Sequence, residues 1–301
     1  MRRGLTVALN LLIVLGLIWV LGPRDLPGMQ VTVLSWPKAW DGFGGWSGLE
    51  VSANGSNFWV VSDSGTIARG QMQRDEGELQ GVTAKYADWI DVAATKENPR
   101  KRERDAESLA RSPSGRVCIG FERNHRLICR QRQLTGPYQT VDLDDLTASF
   151  VFNGGLEALA VGDDNSLWAI PEGSVFRPGP APLFRWNNGA WSLAAELPRK
   201  GLWLPTGADI GPDGKLYLLE HTLLGIVFAS RVRRFDLDNP GAGEIVFQSR
   251  FGRFNNLEGL AVWQDTDGLI RLTMISDDNG MALTPTQFVE ATLTAGLASA
   301  D

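Results

Sequence analysis

The sequence predicts an all-β fold, a single β-propeller of four-stranded blades, on three observations. A short pattern returns five times at a spacing of about fifty residues, and repeats of that length mark propellers or solenoids. Each copy holds two apolar runs around a polar turn, the pattern of a β-hairpin. The 34 glycines and 11 tryptophans suit many turns and packed aromatic faces.

The elements follow in chain order. Arg2 and Arg3 precede an apolar run over 5–21, broken by Gly22 and Pro23. A basic flank, an apolar run and a breaker describe a targeting segment. The run has about 17 residues, the lower edge for a membrane-spanning helix. Residues 1–28 are therefore expected to be a signal peptide or an N-terminal membrane anchor. Residues 29–301 are expected to be the propeller, placed in the periplasm or outside the cell, or tethered to the inner membrane. No later segment is apolar enough to span a bilayer, so membrane contact is expected only through the N-terminal segment.

MQVTVLSW (29–36) has no partner in the first repeat. The last repeat is short, with room for one more strand, TQFVEATL (286–293). Pairing the two closes the ring and leaves no blade with an open edge. The first repeat is WSGLEVSANGSNFWVVSD (46–63), followed by a charged loop, ATKENPRKRERD (94–105). The second gives ESLAR, RVCIGF, RLICRQ and YQTVDL; the third gives LEALAV, SLWAIP, PLFRWN and WSLAAEL, with an Asn-Gly turn between the last two. The fourth gives ADI, KLYLLE, SRVRRFDL and EIVFQSRF. Five blades result, or six if one repeat merges two short blades.

Two cysteines fall in RVCIGFERNHRLICR. A turn at Arg123 and Asn124 pairs 121 with 126 and sets Cys118 opposite Cys129, within disulfide range. Two small buried apolar residues are the alternative; an exported chain favours the disulfide.

Each repeat opens and closes on an acid. The leading acids are Glu50, Glu107, Glu157, Asp209 and Glu258; the trailing acids are Asp63, Glu122, Glu172, Glu220 and Asp277. The first strand of a propeller blade lines the central channel, and the second returns antiparallel to the same end. The ten carboxylates are thus expected at one mouth. They cannot all ionise unaided, since two unit charges at 4 Å repel by about 4 kcal/mol at an effective dielectric near 20. Bound cations, basic side chains or protonation must offset them. Clustered oxygen ligands suit Ca²⁺, the expected metal. Alternatively, each acid caps its own turn or hydrogen-bonds backbone amides of the next blade.

The only two histidines, His125 and His221, follow trailing acids, as do Arg123 and Arg126. These four are the candidate catalytic residues, able to orient an anionic substrate group or move a proton. The net charge of −6 excludes a basic nucleic-acid surface, so the expected partner is a small-molecule substrate or ligand at the mouth. There is no G-x-S-x-G, H-E-x-x-H, C-x-x-C or Walker loop. DTDG (265–268) is a turn rather than an EF-hand loop, while SDSG (62–65) and SDDNG (276–280) offer oxygen ligands or turns.

The motifs WSGLE…VVSDSG, DAESLA…GFERNHR, GGLEALAV, TGADIGPDGKLYLLE and NLEGLAV…ISDDNG, in that order, resemble the family described as esterase-like activity of phytase. The resemblance runs from about residue 40 to 290. It implies an extracytoplasmic bacterial propeller and hydrolysis of phosphoesters or esters. β-Propeller phytases hold Ca²⁺ with clustered acids, which the mouth carboxylates resemble. Two readings remain: a Ca²⁺-dependent phosphoester or ester hydrolase, with lactone opening as a variant, or a non-enzymatic binding propeller braced by metal.

Overall fold

The computed structural model describes residues 22–90, 103–123, 125–130, 138–147, 155–173, 179–199, 201–281 and 284–293. The apolar run 5–21, most of the charged loop 94–105 and Asn124 lie outside the described residues.

Among the described residues, five sheets of four antiparallel strands form a ring. Blade 1 is β2 (Trp46–Val51), β3 (Asn57–Ser62), β4 (Thr66–Asp75) and β5 (Glu78–Trp89). Blade 2 is β6 (Ala106–Arg111), β7 (Val117–Phe121), β8 (Arg126–Arg130) and β9 (Gln139–Val141), followed by a single-turn helix, α1 (Asp144–Thr147). Blade 3 is β10 (Ala158–Val161), β11 (Leu167–Ile170), β12 (Ala181–Asn187) and β13 (Ala190–Leu197). Blade 4 is β14 (Leu204–Ile210), β15 (Leu216–Leu224), β16 (Val227–Phe235) and β17 (Glu244–Gln248). Blade 5 is β18 (Asn256–Gln264), β19 (Ile270–Asp277), β20 (Thr286–Leu293) and, on its outer edge, β1 (Gln30–Trp36). The ring has five blades, not six, and the N-terminal strand closes it, pairing Trp36 with Thr286 through to Gln30 with Thr292.

Burial follows position in the blade. The inner strands β2 and β10 are buried at every residue, because neighbouring blades cover both faces. Further out, β4 alternates buried and exposed residues, and β13 is mostly exposed. Five apolar clusters fill the five seams between blades. That between blades 5 and 1 stacks Trp36 on Trp46 at 5.4 Å and packs Phe58 and Phe288 beside them. That between blades 2 and 3 includes Cys118 and Cys129, which face each other in the ladder and form a disulfide. Clusters around Leu260 and Val232, Leu183 and Phe235, and Leu109 and Ile119 fill the remaining seams.

The inner strands approach so closely that small residues are required. A Cβ on Gly48 would lie 2.7 Å from the Leu109 backbone nitrogen, and one on Gly259 would lie 2.8 Å from that of Leu49. Leu49, Leu109, Leu159, Ala208 and Leu260 follow these positions and plug the channel, leaving a space of only about 10 Å³. The channel is thus closed beneath one mouth.

Candidate metal centre at the channel mouth

The ladder between first and second strands breaks at one recurrent place. Register shifts pass over Ser47 in blade 1, Glu107 in blade 2, Thr206 in blade 4 and Glu258 in blade 5. A β-bulge re-aims the residue it leaves unpaired. In blade 3, Glu157 holds the equivalent position just before β10. These five residues are the true leading set: three glutamates, a serine and a threonine. One step nearer the mouth, the Asp63, Glu122 and Glu172 amides donate to the carbonyls of Gly45, Asp105 and Gly155. Asp277 pairs with Asn256, and His221 with Leu204. The trailing set is therefore four acids and one histidine.

Seven of the ten expected acids converge: Asp63, Glu107, Glu122, Glu157, Glu172, Glu258 and Asp277. Their mutual repulsion shows it. Burial, then Asp105, Glu122 and Asp63, push the Glu107 carboxyl up to about 8, against a hydrogen bond from Ser47. Glu157 lies well above the usual carboxylate range, first through burial and then through Glu107, Glu172, Glu258 and Glu122. Solvent still touches it, while the surrounding protein excludes bulk water. Glu258 is raised likewise by burial, Asp277 and Glu107. Burial lifts Glu172 to about 7, with Glu122 adding to it. Asp277 reaches about 7 through burial, against a backbone hydrogen bond from Asn279 and with repulsion from Asp63 and Asp278.

Asp105 and Asp278 enlarge the cluster. Carboxylate oxygens of Asp105, Glu107 and Glu122 lie within 4.8 Å of one another, as do those of Glu122, Glu157 and Glu172. Two oxygens bound to one Ca²⁺ at about 2.4 Å are separated by at most about 5 Å. Both trios therefore fit a hard divalent cation, and they share Glu122.

Three expected acids do not join the cluster. Glu50 and Asp209 sit three residues past the bulge positions, deeper along their strands. Each reaches the next blade: Glu50 accepts from the Arg111 amide at 2.7 Å, and Asp209 from the Val262 amide at 2.6 Å. Burial raises both, Asp209 to about 7 and Glu50 well above the usual carboxylate range, with Asp209 repelling Glu50. They staple neighbouring inner strands. Glu220 points to the opposite face of β15 from His221 and is fully buried in blade 4. It accepts from Arg231 Nε and Arg233 Nε at 2.7 Å each, and from Arg233 Nη2 at 2.7 Å. It braces the blade.

The four basic candidates divide. Arg123 lies at the mouth, with Nε 2.7 Å from Asp105 and 3.6 Å from Glu122, and half its side chain in solvent. His125 follows in the same turn, half-buried, and burial lowers its pKa. Arg126 turns away from the acids, lying over the Phe121 ring and donating to the Glu103 carbonyl. His221 stands in the ring of trailing residues. Its Nδ1 is 2.8 Å from Asn256 Oδ1, and Asn256 Nδ2 donates to Glu258 Oε1 at 2.5 Å. With the amide so oriented, Nδ1 carries the proton and Nε2 keeps its lone pair. Burial lowers the His221 pKa and keeps the ring neutral.

Ser47, Thr206, Asp105 and Asn256 are the mouth residues that sequence reasoning missed. A small or apolar pair follows each leading position: Gly48-Leu49, Ser108-Leu109, Ala158-Leu159, Gly207-Ala208 and Gly259-Leu260. Aligning on that pair rather than on the acids would have found the phase.

A closed five-bladed ring, plugged below and lined with carboxylates at one mouth, defines a propeller with an oxygen-rich acidic cluster whose spacing fits a cation. The chain belongs to the phytase-like family described as esterase-like activity of phytase, whose model matches residues 41–280. No curated protein sequence matches it. Solved structures of similar shape include a putative gluconolactonase (12% identity, covering 91% of this chain and 97% of that one, TM-score 0.47). Regucalcin from Agrobacterium tumefaciens, described as a calcium-binding protein, is 11% identical over 82% of this chain and 90% of its own, with a TM-score of 0.44. Virginiamycin B lyase from Staphylococcus aureus is 14% identical over 82% and 71%, with a TM-score of 0.39. Likenesses this distant carry no activity across.

Proposed function

We propose that this protein is a Ca²⁺-dependent hydrolase of phosphoesters or carboxylic esters, lactones included, acting at the channel mouth. The observation that carries the reading is the pair of overlapping carboxylate trios, Asp105, Glu107 and Glu122 with Glu122, Glu157 and Glu172. Those five residues would hold the cation, with Glu258 and Asp277 completing the negative wall. When bound, Ca²⁺ supplies Lewis-acid polarisation of a phosphoryl or carbonyl oxygen and lowers the pKa of a water.

The chain's own residues do the rest. Arg123, half in solvent, orients an anionic head above the acids. Neutral His221, held through Nδ1 by Asn256, offers Nε2 as a proton acceptor, and the Asn256–Glu258 hydrogen bond fixes its orientation. The leucine plug blocks access from below, so substrate enters and leaves by one side. An oxidising compartment outside the cytoplasm suits the Cys118–Cys129 disulfide, with the N-terminal apolar run as leader or anchor.

The test uses the full chain with Ca²⁺ or with chelator, assayed on phosphomonoesters, phytate, aryl esters and lactones. Turnover lost on chelation and in Glu157→Gln, with unchanged circular dichroism, supports the hydrolase. Chelation that lowers the melting temperature, with no turnover on any substrate, would instead make the ring a metal-braced binding module.

A further inference from the structure

Beside the carboxylates a groove of about 710 Å³ crosses the top of the seam between blades 5 and 1. Pockets that bury small organic ligands run from about 300 to 1,000 Å³. Its course follows from strand order. Asp278 leaves the second strand of blade 5, near the axis, whereas Thr286 and Trp36 end the third and fourth strands, further out. Asp63 and Ser64, at the end of the second strand of blade 1, face it from the other side.

The groove changes character along its length. At the inner end stand the carboxylates of Asp63 and Asp278, both of which repel Asp277 in the mouth cluster. The backbone is brought onto them by two glycines in the left-handed region. A Cβ on Gly45 (φ +63°) would collide with Asp63, and one on Gly44 (φ +126°) would collide with Asp278. The Gly45 amide donates to Asp278 Oδ1 at 3.2 Å. Outward, the walls become apolar. Trp36 and Phe43 form the floor, with ring centroids 4.7 Å apart. Pro37 and Pro285 line the rim, and Met281 is 50% exposed there. Side chains are absent at Gly42 and Gly280, where a Cβ would meet nothing within 4 Å, so the trough stays open. An exposed methionine over an aromatic floor is an adaptable apolar contact.

We infer that this groove binds the alkyl or aryl part of an amphipathic substrate whose oxygen-rich head sits at the mouth. The inference rests on the hydrolase reading for the head and on the groove alone for the tail. An acidic inner end repels a free anion, so the head approaches as a cation-bridged or uncharged carbonyl group. The tail lies over Phe43 and Met281, away from the acids.

The test is a titration of the full chain, in Ca²⁺, with n-alkyl phosphonates from methyl to octyl, followed by calorimetry. Affinity is expected to rise about two- to four-fold per methylene until the groove is filled, from about 0.8 kcal/mol per fully buried CH₂. Met281→Lys and Pro285→Asp should flatten that slope, while Glu157→Gln should weaken every member of the series alike. n-Octanol in chelator separates the two readings. If it binds and Met281→Lys abolishes that binding, the groove stands even where no hydrolysis is found. Affinity independent of chain length, or a slope unchanged in both rim variants, overturns the groove assignment.

Discussion

Replacing Glu220 by glutamine separates the brace from the site. The wild-type carboxylate is wholly buried and accepts three hydrogen bonds at 2.7 Å from two guanidinium groups. Those groups have few other partners. Arg233 Nη1 donates to the Pro198 and Ala242 carbonyls, and Arg231 lies 4.4 Å over the Trp203 ring. Glutamine keeps one acceptor but removes the charge, leaving two buried cations uncompensated. Removing one partner of a buried ion pair costs about 3–5 kcal/mol. Glutamine should fall at the lower end, about 3 kcal/mol. At about 2–4 °C per kcal/mol for a domain of this size, the melting temperature should drop by roughly 6–12 °C. Differential scanning calorimetry reads the drop, and calorimetric titration should show Ca²⁺ affinity within about two-fold of wild type. An unchanged melting temperature together with weakened Ca²⁺ binding would refute the reasoning and return Glu220 to the mouth. Replacing Glu220, Arg231 and Arg233 together by apolar residues of similar volume should recover much of the loss, because the desolvation penalty disappears with the charges.

Three further outcomes follow from the same geometry. Carboxyls raised to about 8 (Glu107) and about 7 (Glu172 and Asp277) bind protons more tightly folded than unfolded. Metal-free stability should therefore be fully present below about pH 4.5 as far as these groups decide it, and fall as pH rises through 7–8. Urea midpoints in chelator between pH 5 and pH 9 measure this; saturating Ca²⁺ should remove most of the decline, and a midpoint rising with pH would contradict the cluster. Reducing the Cys118–Cys129 disulfide, which closes a loop of sequence separation 11, should cost about 2–3 kcal/mol, read as a lower urea midpoint in dithiothreitol. Asp209→Ala should cost about 1–3 kcal/mol by orphaning the Val262 amide while leaving Ca²⁺ affinity intact; a lost cation site would show that the inner staple and the mouth are one unit.

The blades were legible because period-2 alternation and turn residues are local signals. Closure by MQVTVLSW was legible because one strand lacked a partner at each end of the chain. Register brought the cysteines together, with Phe121 opposite Arg126 and Cys118 opposite Cys129, and the expectation of an exported chain chose the disulfide over two buried thiols. The site was only partly legible. Glu50 and Asp209 look like leading acids, yet a bulge sets the phase, and bulges leave no mark in a pattern of acids. Glu220 is one residue out of step with His221, and in a strand one residue exchanges the two faces. Its guanidinium partners lie a strand away, on β16. Asp105 ends a charged run that drew notice only for leading into Glu107, since nothing in a run of mixed charges marks which acid turns inward.

The strand that seals the ring has a consequence for biosynthesis. The last strand of blade 5 is β1, made first, and its partner β20 is made last. Every other strand of the ring lies between them in sequence and must be made before the seam between blades 5 and 1 can form, and contacts so distant in sequence are slow to find each other. Until then Trp36, Trp46, Phe58 and Phe288 remain without a complete core. The ring thus stays open at that seam until β20 pairs with β1. The aromatic seam becomes its final latch.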